Sequence, residues 1–322
     1  MKSKSSYTFD LVAMGRACVD EYFVVEEEGN KNIKVPIVQR KVCGGGQAAT
    51  SAITVSLLGG QAAYIGNLGN DEFGDLLLRE FFDFKVNVDG VNRPDSYATP
   101  KALIMVNAKN GDRTIYYEKN DPHVTYPIPS QIVSSARALI LDPSISTEDL
   151  EKVLKMRARD SIIVYDGERD RPSLNAMMDY ADFFIASETL LDIFGSNRRK
   201  STFEHLKAKV KGELIFTFGE EGSVWVRECA LIHIPAMEVS EVLDTTGAGD
   251  VFHAAFAYFY PKLKDILQAL KVSTYYASKS TVSLGNRDRE KGFTADTINH
   301  LSIKERLLSN DEFIRLIESR AP

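Results

Sequence analysis

The sequence is poor in cysteine and tryptophan, with three and one among its 322 residues. Cys18, Cys43 and Cys229 are odd in number and show no paired spacing, so neither a disulfide framework nor a thiolate zinc site is indicated, and they read as free thiols. Positive charge is not in excess: 39 Lys and Arg against 45 Asp and Glu give a net charge of −6. That balance leaves no electrostatic footprint for nucleic acid. No apolar run approaches the ~20 residues of a membrane helix; the longest, Val251–Tyr260, is interrupted by His253. Asp10 breaks the apolar stretch that a signal peptide would need after Met1-Lys2-Ser3-Lys4, so the expectation is a cytoplasmic protein without membrane partners. Also missing are the GxxxxGK[ST], HExxH, GxSxG and CxxC patterns, and the first strand lacks the GxGxxG turn of a dinucleotide oxidoreductase. His123, His205, His233, His253 and His300 have no metal-ligand spacing and read as surface or helix residues.

What the chain does contain, 44 % apolar and 26 % charged residues, is the mixture of a globular protein with ample core. Phe9–Gly15 reads as an inner parallel strand that stops at glycine. Residues 21–41 carry alternating and β-branched residues around Gly29-Asn30, the pattern of strands in a separate small sheet. Gly44-Gly45-Gly46 opens a small-residue helix, Gln47–Leu58, that closes at Gly59-Gly60. A strand over 62–65 and a helix over 72–83, with Asp71 as N-cap, continue the alternation. Lys101–Ala108 and Thr114–Tyr117, joined by Asn110-Gly111-Asp112, make a predicted hairpin. Further strands are predicted near 138–141, 162–165, 183–186 and 214–217. Together they predict an α/β fold with a doubly wound, mostly parallel sheet flanked by helices, one domain over 1–322, with a small β lid from about 21–42 and 95–120. An apolar lid face is expected to be covered by a second copy of the chain in a homodimer, lid against lid.

The sharpest chemical signal is Asp244-Thr245-Thr246-Gly247-Ala248-Gly249-Asp250, followed at once by the apolar helix start Val251-Phe252. Two glycines around an alanine leave successive amides free to converge on an anion at a helix N-terminus. Asp250 beside that hole is placed to orient a hydroxyl and take its proton. The amides of Gly247, Ala248 and Gly249 would then meet charge developing on a transferring phosphoryl group. For an isolated GAGD, a tight turn with Asp250 as helix cap is the plainer alternative.

The run resembles the DTxGAGD signature of the PfkB, or ribokinase-like, carbohydrate kinase family. The resemblance extends to Gly45-Gly46 with the helix that follows and to Gly66-Asn67-Leu68-Gly69-Asn70-Asp71-Glu72-Phe73-Gly74, and spans about residues 9–290. It implies the ribokinase-like fold and a kinase using ATP and Mg2+, its cleft holding sugar under the lid and nucleotide along the C-terminal half, with Asp250 as base. By the same resemblance Asp20, Gly45, Gly46, Gln47 and Thr50 contact the sugar and Arg113 reaches the phosphate end. Thr217, Gly219 and Gly222, within TFGEEG, and Gly285 are implied to bind the nucleotide. Glu188 stands where many members carry the NxxE motif and is implied to act on magnesium, while Asp244 and Thr246 are implied to hold a monovalent cation such as K+. Thr50 departs from the family's asparagine. It offers one hydroxyl where asparagine offers a donor and an acceptor arm, which puts ribose specificity in doubt.

The GGGQAAT run, the GDRT hairpin, Asp166-Gly167-Glu168 and Ser187 lean toward the ketohexokinase-like branch. That branch implies transfer to a primary hydroxyl of a ketose or furanose-like sugar, with a fructose-like substrate first. Ribokinase, an acidic or sulfonated ketose kinase and nucleoside kinase share the motifs. The non-enzyme reading is a catalytically quiet sensor that binds sugar or nucleotide without making ADP.

Overall fold

The computed structural model describes residues 7–26, 34–109, 113–118, 125–169, 171, 173–287 and 301–320. The predicted turns Gly29-Asn30 and Asn110-Gly111-Asp112 lie outside the described residues. The first strand, β1 (Phe9–Met14), is apolar on both faces: Leu11 and Ala13 enter one core, Val12 and Met14 another. A strand buried on both faces needs helices over each, which is the doubly wound condition. The chain then leaves this sheet as β2 (Cys18–Val25) and β3 (Ile37–Gly45), and returns through α1 (Gln47–Leu57), β4 (Ala62–Asn67), α2 (Glu72–Asp83) and β5 (Asn87–Asn92). It leaves again as β6 (Lys101–Asn107) and β7 (Arg113–Tyr117).

The second half alternates α3 (Ser130–Ser134), β8 (Ala136–Leu141), α4 (Thr147–Met156), β9 (Ile162–Gly167), α5 (Leu174–Tyr180), β10 (Phe183–Ser187), α6 (Arg199–Lys209) and β11 (Glu213–Thr217). There follow β12 (Ser223–Val226), β13 (Leu231–Ile234), α7 (Ala248–Leu263), α8 (Ile266–Ser280), β14 (Arg306–Leu308) and a C-terminal helix, Asn310–Ser319. The large sheet runs β14-β13-β12-β11-β10-β9-β8-β1-β4-β5. Neighbours from β11 to β5 are parallel, and β12 to β14 extend the sheet antiparallel. One core lies under α1, α2, α7 and α8, the other under α3 to α6 and the C-terminal helix. No helix among the described residues is long and apolar enough to cross a membrane.

Strand order reverses between β1 and β8, since the chain fills β4 and β5 on one side before β8 to β11 on the other. In open α/β sheets the ligand crevice opens at the carboxyl ends of the strands at such a point. The four-stranded sheet β3-β2-β6-β7 projects from the chain just after β1 and after β5. Tyr22, Val24, Cys43, Ala102, Ile104 and Val106 form a small core of their own with Leu284. Register places Cys43, Asp20, Ala102 and Tyr117 in one row across this sheet.

The sequence reading differs from the structure at three places. Gly44 and Gly45 end β3 rather than open the helix, and Gly46 alone is the N-cap of α1. The small sheet, read from about residue 21, starts at Cys18, so that Asp20 lies within β2. Four strands, β5 and β12 to β14, were not expected, because they are short or polar and three of them pair antiparallel at the sheet edge. Gly46 has φ +90, and a Cβ there would sit 2.7 Å from the Arg16 carbonyl oxygen, so this position requires glycine.

Buried Tyr64 ties the end of β1 to β4: its hydroxyl donates to the Gly15 carbonyl at 2.9 Å and its ring stacks on Phe81 with centroids 4.7 Å apart. Tyr64→Phe is expected to cost about 1–2 kcal/mol through the lost bond, and Tyr64→Ala about 3–5 kcal/mol through the cavity. Urea unfolding checks both, and unchanged midpoints would show that this tie carries no stability.

Candidate active site

Parallel strands end on the same side, so the termini of β1, β8, β9, β10 and β11 deliver Gly15, Asp142, Asp166, Ser187 and Thr217 to one edge. The N-terminus of α7 meets this edge. Gly247, its N-cap, is left-handed at φ +71, and an added Cβ would run into the Asn286 side-chain amide. The Asp244 carboxylate holds the turn from beneath, Oδ1 accepting the Thr246 amide at 2.8 Å and Oδ2 the Gly285 amide at 2.9 Å. Asn286 Nδ2 donates to the Thr246 carbonyl at 2.5 Å. Asp244 and Thr246, expected at a cation, also hold the turn's own framework, and the buried Thr246 hydroxyl has no partner among the described residues.

The Ala248 amide reaches back to the Thr245 carbonyl at 3.3 Å, while Val251 starts the helical ladder by donating to Gly247 at 3.0 Å. The amides of Gly247, Gly249 and Asp250 have no backbone acceptor among the described residues. A Cβ placed on Gly249 would meet nothing within 4 Å, so the ground over the helix end is open. The free amides expected from the sequence are therefore those of Gly247 and Gly249, joined by Asp250, with Ala248 partly engaged.

Asp250 sits in the first turn of α7. Burial, and after it the Asp166 carboxylate, push its carboxyl well above the usual range. Burial and then Glu168 do the same to Asp166. His253, one turn into α7 and buried, faces the Gly249 carbonyl with Nδ1 at 2.6 Å, and with Nε2 the Ile185 carbonyl at 3.2 Å and Asp166 Oδ1 at 3.5 Å. It pins the start of α7 to the end of β10. Gln47, expected on the sugar, donates from Nε2 to Asp166 Oδ2 at 2.9 Å and to Glu168 at 3.4 Å.

At the other end of the cleft Asp20 is buried, accepts from the Cys18 thiol at 3.2 Å and faces Gly45, where any side chain would strike its carboxylate. Burial pushes Asp20 up to about 6, against the opposing pull of the Cys18 thiol and Arg287. Thr50 lies in the first turn of α1, and the Arg287 guanidinium points its Nη1 at the Thr50 hydroxyl from 3.4 Å. Thus Asp20, Gly45, Gly46, Gln47 and Thr50 gather around the start of α1.

Arg113 is exposed on β7 opposite Val106. Both Glu188 oxygens accept from Arg320, at 2.8 and 2.9 Å. Thr217 ends β11, and Gly219 and Gly222 shape the turn after it, closed by Phe218 donating to Gly222 at 2.8 Å. Gly285 faces Cys43, Lys41 and Tyr22 of the small sheet. His253 is a helix residue as expected, buried at the start of α7, and sequence reasoning missed Asp142, Asn286 and Arg287. The available signals were the aspartate ending the apolar run 136–141 and the polar pair directly after Gly285.

A sequence model of the pfkB family carbohydrate kinases matches residues 8–290. The chain is 24 % identical over 295 residues to the deoxyribokinase of Salmonella typhi, covering 86 % of this chain and 94 % of that protein. It is 24 % identical over 285 residues to the ketohexokinase of Mus musculus, covering 84 % and 95 %. Among solved structures, the ribokinase of Arabidopsis thaliana complexed with ribose and ATP is similar with a TM-score of 0.71 at 22 % identity, covering 91 % of this chain and 99 % of that one.

The Asp20 carboxyl is raised to about 6 from 3.8, so its ionisation opposes folding. Its favourable contribution is full below about pH 4 and is lost as pH rises through about 6. Asp20→Asn is therefore expected to stabilise the fold at about pH 8 by up to about 3 kcal/mol, a gain that fades toward about pH 4. Thermal melts across that range check it, and equal melting points at the alkaline end would refute it.

Proposed function

Because the chain belongs to the pfkB family of carbohydrate kinases and is a phosphotransferase, we propose that it transfers a phosphoryl group from Mg-ATP to a primary hydroxyl of a ketose or furanose-like sugar. The observation that carries this reading is the pairing of Asp250 with unengaged amides over open ground at the start of α7. Bound Mg-ATP supplies the electrophilic phosphorus. Asp250, raised by burial and by Asp166, is a stronger proton acceptor than an ordinary carboxylate and takes the hydroxyl proton as its oxygen attacks. The amides of Gly247 and Gly249 meet the charge gathering on the phosphoryl oxygens. His253 keeps the first turn of α7 aligned through its two carbonyl contacts.

The residues fit a nucleotide in two respects: the helix end is open above Gly249, and the Thr217–Gly222 turn lies on the same sheet edge, two strands from Asp166. Mg2+ carried on phosphates keeps its waters and needs only one or two carboxylates. Glu188 would have to release Arg320 to serve as one. At the sugar end Asp20 is the acceptor for substrate hydroxyls, with Gly45 and Gly46 allowing close approach to the backbone.

The outer face of the small sheet exposes Val42, Leu103 and Tyr116, and the last two are directly opposite each other. A homodimer that buries this face is the arrangement we favour. Light scattering at micromolar concentration should give a dimer for the wild type and a monomer for Leu103→Glu/Tyr116→Glu; a monomeric wild type overturns it.

ADP release from Mg-ATP across ketoses, pentoses, sugar acids, sulfonated sugars and nucleosides tests the enzyme, with Asp250→Asn beside the wild type. A sugar-dependent signal that falls by about 10²–10⁴-fold in the variant is expected. A signal the variant keeps removes Asp250 as base. Silence across the panel with ligand binding intact would establish the sensor instead.

A further inference from the structure

Arg287 is buried at the sugar end of the cleft, its side chain 6 % exposed. Glu80 of α2 pairs with it through Nε at 3.1 Å, while the other Glu80 oxygen accepts the Gly44 amide at 2.8 Å. Glu80 therefore meets one corner of the guanidinium only. Nη1 lies 3.4 Å from the Thr50 hydroxyl and 3.5 Å from the Asn286 carbonyl, both beyond the usual range of an N–H···O bond. Nη2 has no acceptor among the described residues. A guanidinium only donates, through five N–H groups, and stays charged at any working pH. Burying it with one good bond is unfavourable unless a ligand brings further acceptors.

The surroundings define that ligand. Arg287 acts electrostatically on Asp20, Cys18 and Cys43, so it shares their end of the cleft. With Lys41, Gln39, Asn107 and Ser283, the polar members of an otherwise aliphatic lining, it borders a cavity of about 750 Å³ between the small sheet and the segment 282–287. Lys41 donates to the Leu284 carbonyl and has no carboxylate partner among the described residues, so the cavity holds a second positive charge. A neutral hydroxyl is met well enough by an amide or a hydroxyl side chain. A carboxylate, an acceptor on both oxygens, is what a donor-only guanidinium matches.

We propose that Arg287 is a specificity-determining residue that reads a carboxylate, and that the substrate is a sugar acid whose carboxylate takes Nη1 and Nη2 in place of the stretched contacts to Thr50 and Asn286. The proposal rests on the sugar-kinase reading above and names the substrate class of the same site.

The test compares D-gluconate, 2-keto-D-gluconate and 5-keto-D-gluconate with D-fructose and D-ribose, by calorimetric binding and by ADP release. The proteins are the wild type, Arg287→Lys, Arg287→Met and the double variant Arg287→Met/Glu80→Gln, which leaves no unpaired buried acid if the single change fails to fold. At least one acid should bind the wild type about tenfold tighter than either neutral sugar. The double variant should lose that preference, the ratio of acid to neutral-sugar affinity falling to about one, with Arg287→Lys intermediate. Acids that bind no tighter than neutral sugars, or a double variant that weakens both alike, would overturn the proposal. The kinase reading fails separately: an Arg287-dependent acid preference in binding with no ADP formed from any sugar supports the recognition and removes the chemistry. ADP formed equally from neutral and acid sugars keeps the chemistry and removes the recognition.

Discussion

Carboxylates largely withdrawn from water, on strands of both sheets and in the first turn of α7, set the terms for everything around them. Asp20, Asp142, Asp166 and Asp250 are all pushed above the ordinary carboxylate range, in each case chiefly by burial. Parallel strands that stop together bring such groups to one place, and removing them from water disfavours their charge. The fold answers with donors more than with counter-charges. Asp142 accepts the amides of Arg16 and Ser144, Asp166 accepts from Gln47, and Asp244 accepts two backbone amides. Stability comes from elsewhere, from the two apolar cores on either face of the sheet. An edge held this way is strained toward accepting protons and hydroxyl donors, which is the condition a base and a sugar-binding acid both need.

The two ends of the cleft are mechanically joined. Gly285-Asn286-Arg287 touches both: Gly285 and Asn286 hold the turn before α7, while Arg287 reaches Glu80 and Thr50. Gln47 closes the circuit from the other side by binding Asp166. A ligand that moved Arg287 would therefore act on a segment whose neighbouring residues fix the turn before α7. On the proposed reading, sugar binding and alignment of the phosphoryl-transfer turn share one short stretch of chain.

Much of this was legible where the determinants are local. Asp71 as the cap of α2 follows from its position before an apolar periodic run, and in the structure it accepts the Gly74 amide at 2.7 Å. The GAGD turn is legible because seven consecutive residues carry it, and the small sheet because β-branched runs flank turn-forming residues. β5 was not, since Asn87–Asn92 is polar and broken by Gly90. β14 was not, since it is three residues, two of them exposed, that pair with β13 from some distance along the chain. Glu188 reads toward magnesium from its place in an NxxE-like stretch, and nothing near it in sequence announces its pairing with Arg320, 132 positions away.

That contrast separates chemistry from specificity. Proton removal and anion stabilisation need a carboxylate beside a glycine-freed helix end, and a single turn of chain can encode both. On the proposed reading, recognition of the rest of the substrate is assembled from Asp20 in β2, Thr50 in α1, Glu80 in α2 and Arg287 after α8, groups that meet only in three dimensions. The change to threonine at position 50 is conspicuous in the sequence, yet its meaning depends on a guanidinium 237 residues later that reaches toward the same place. Two chains can therefore share the catalytic turn in full and still select different sugars, because the turn constrains none of the long-range contacts that read them.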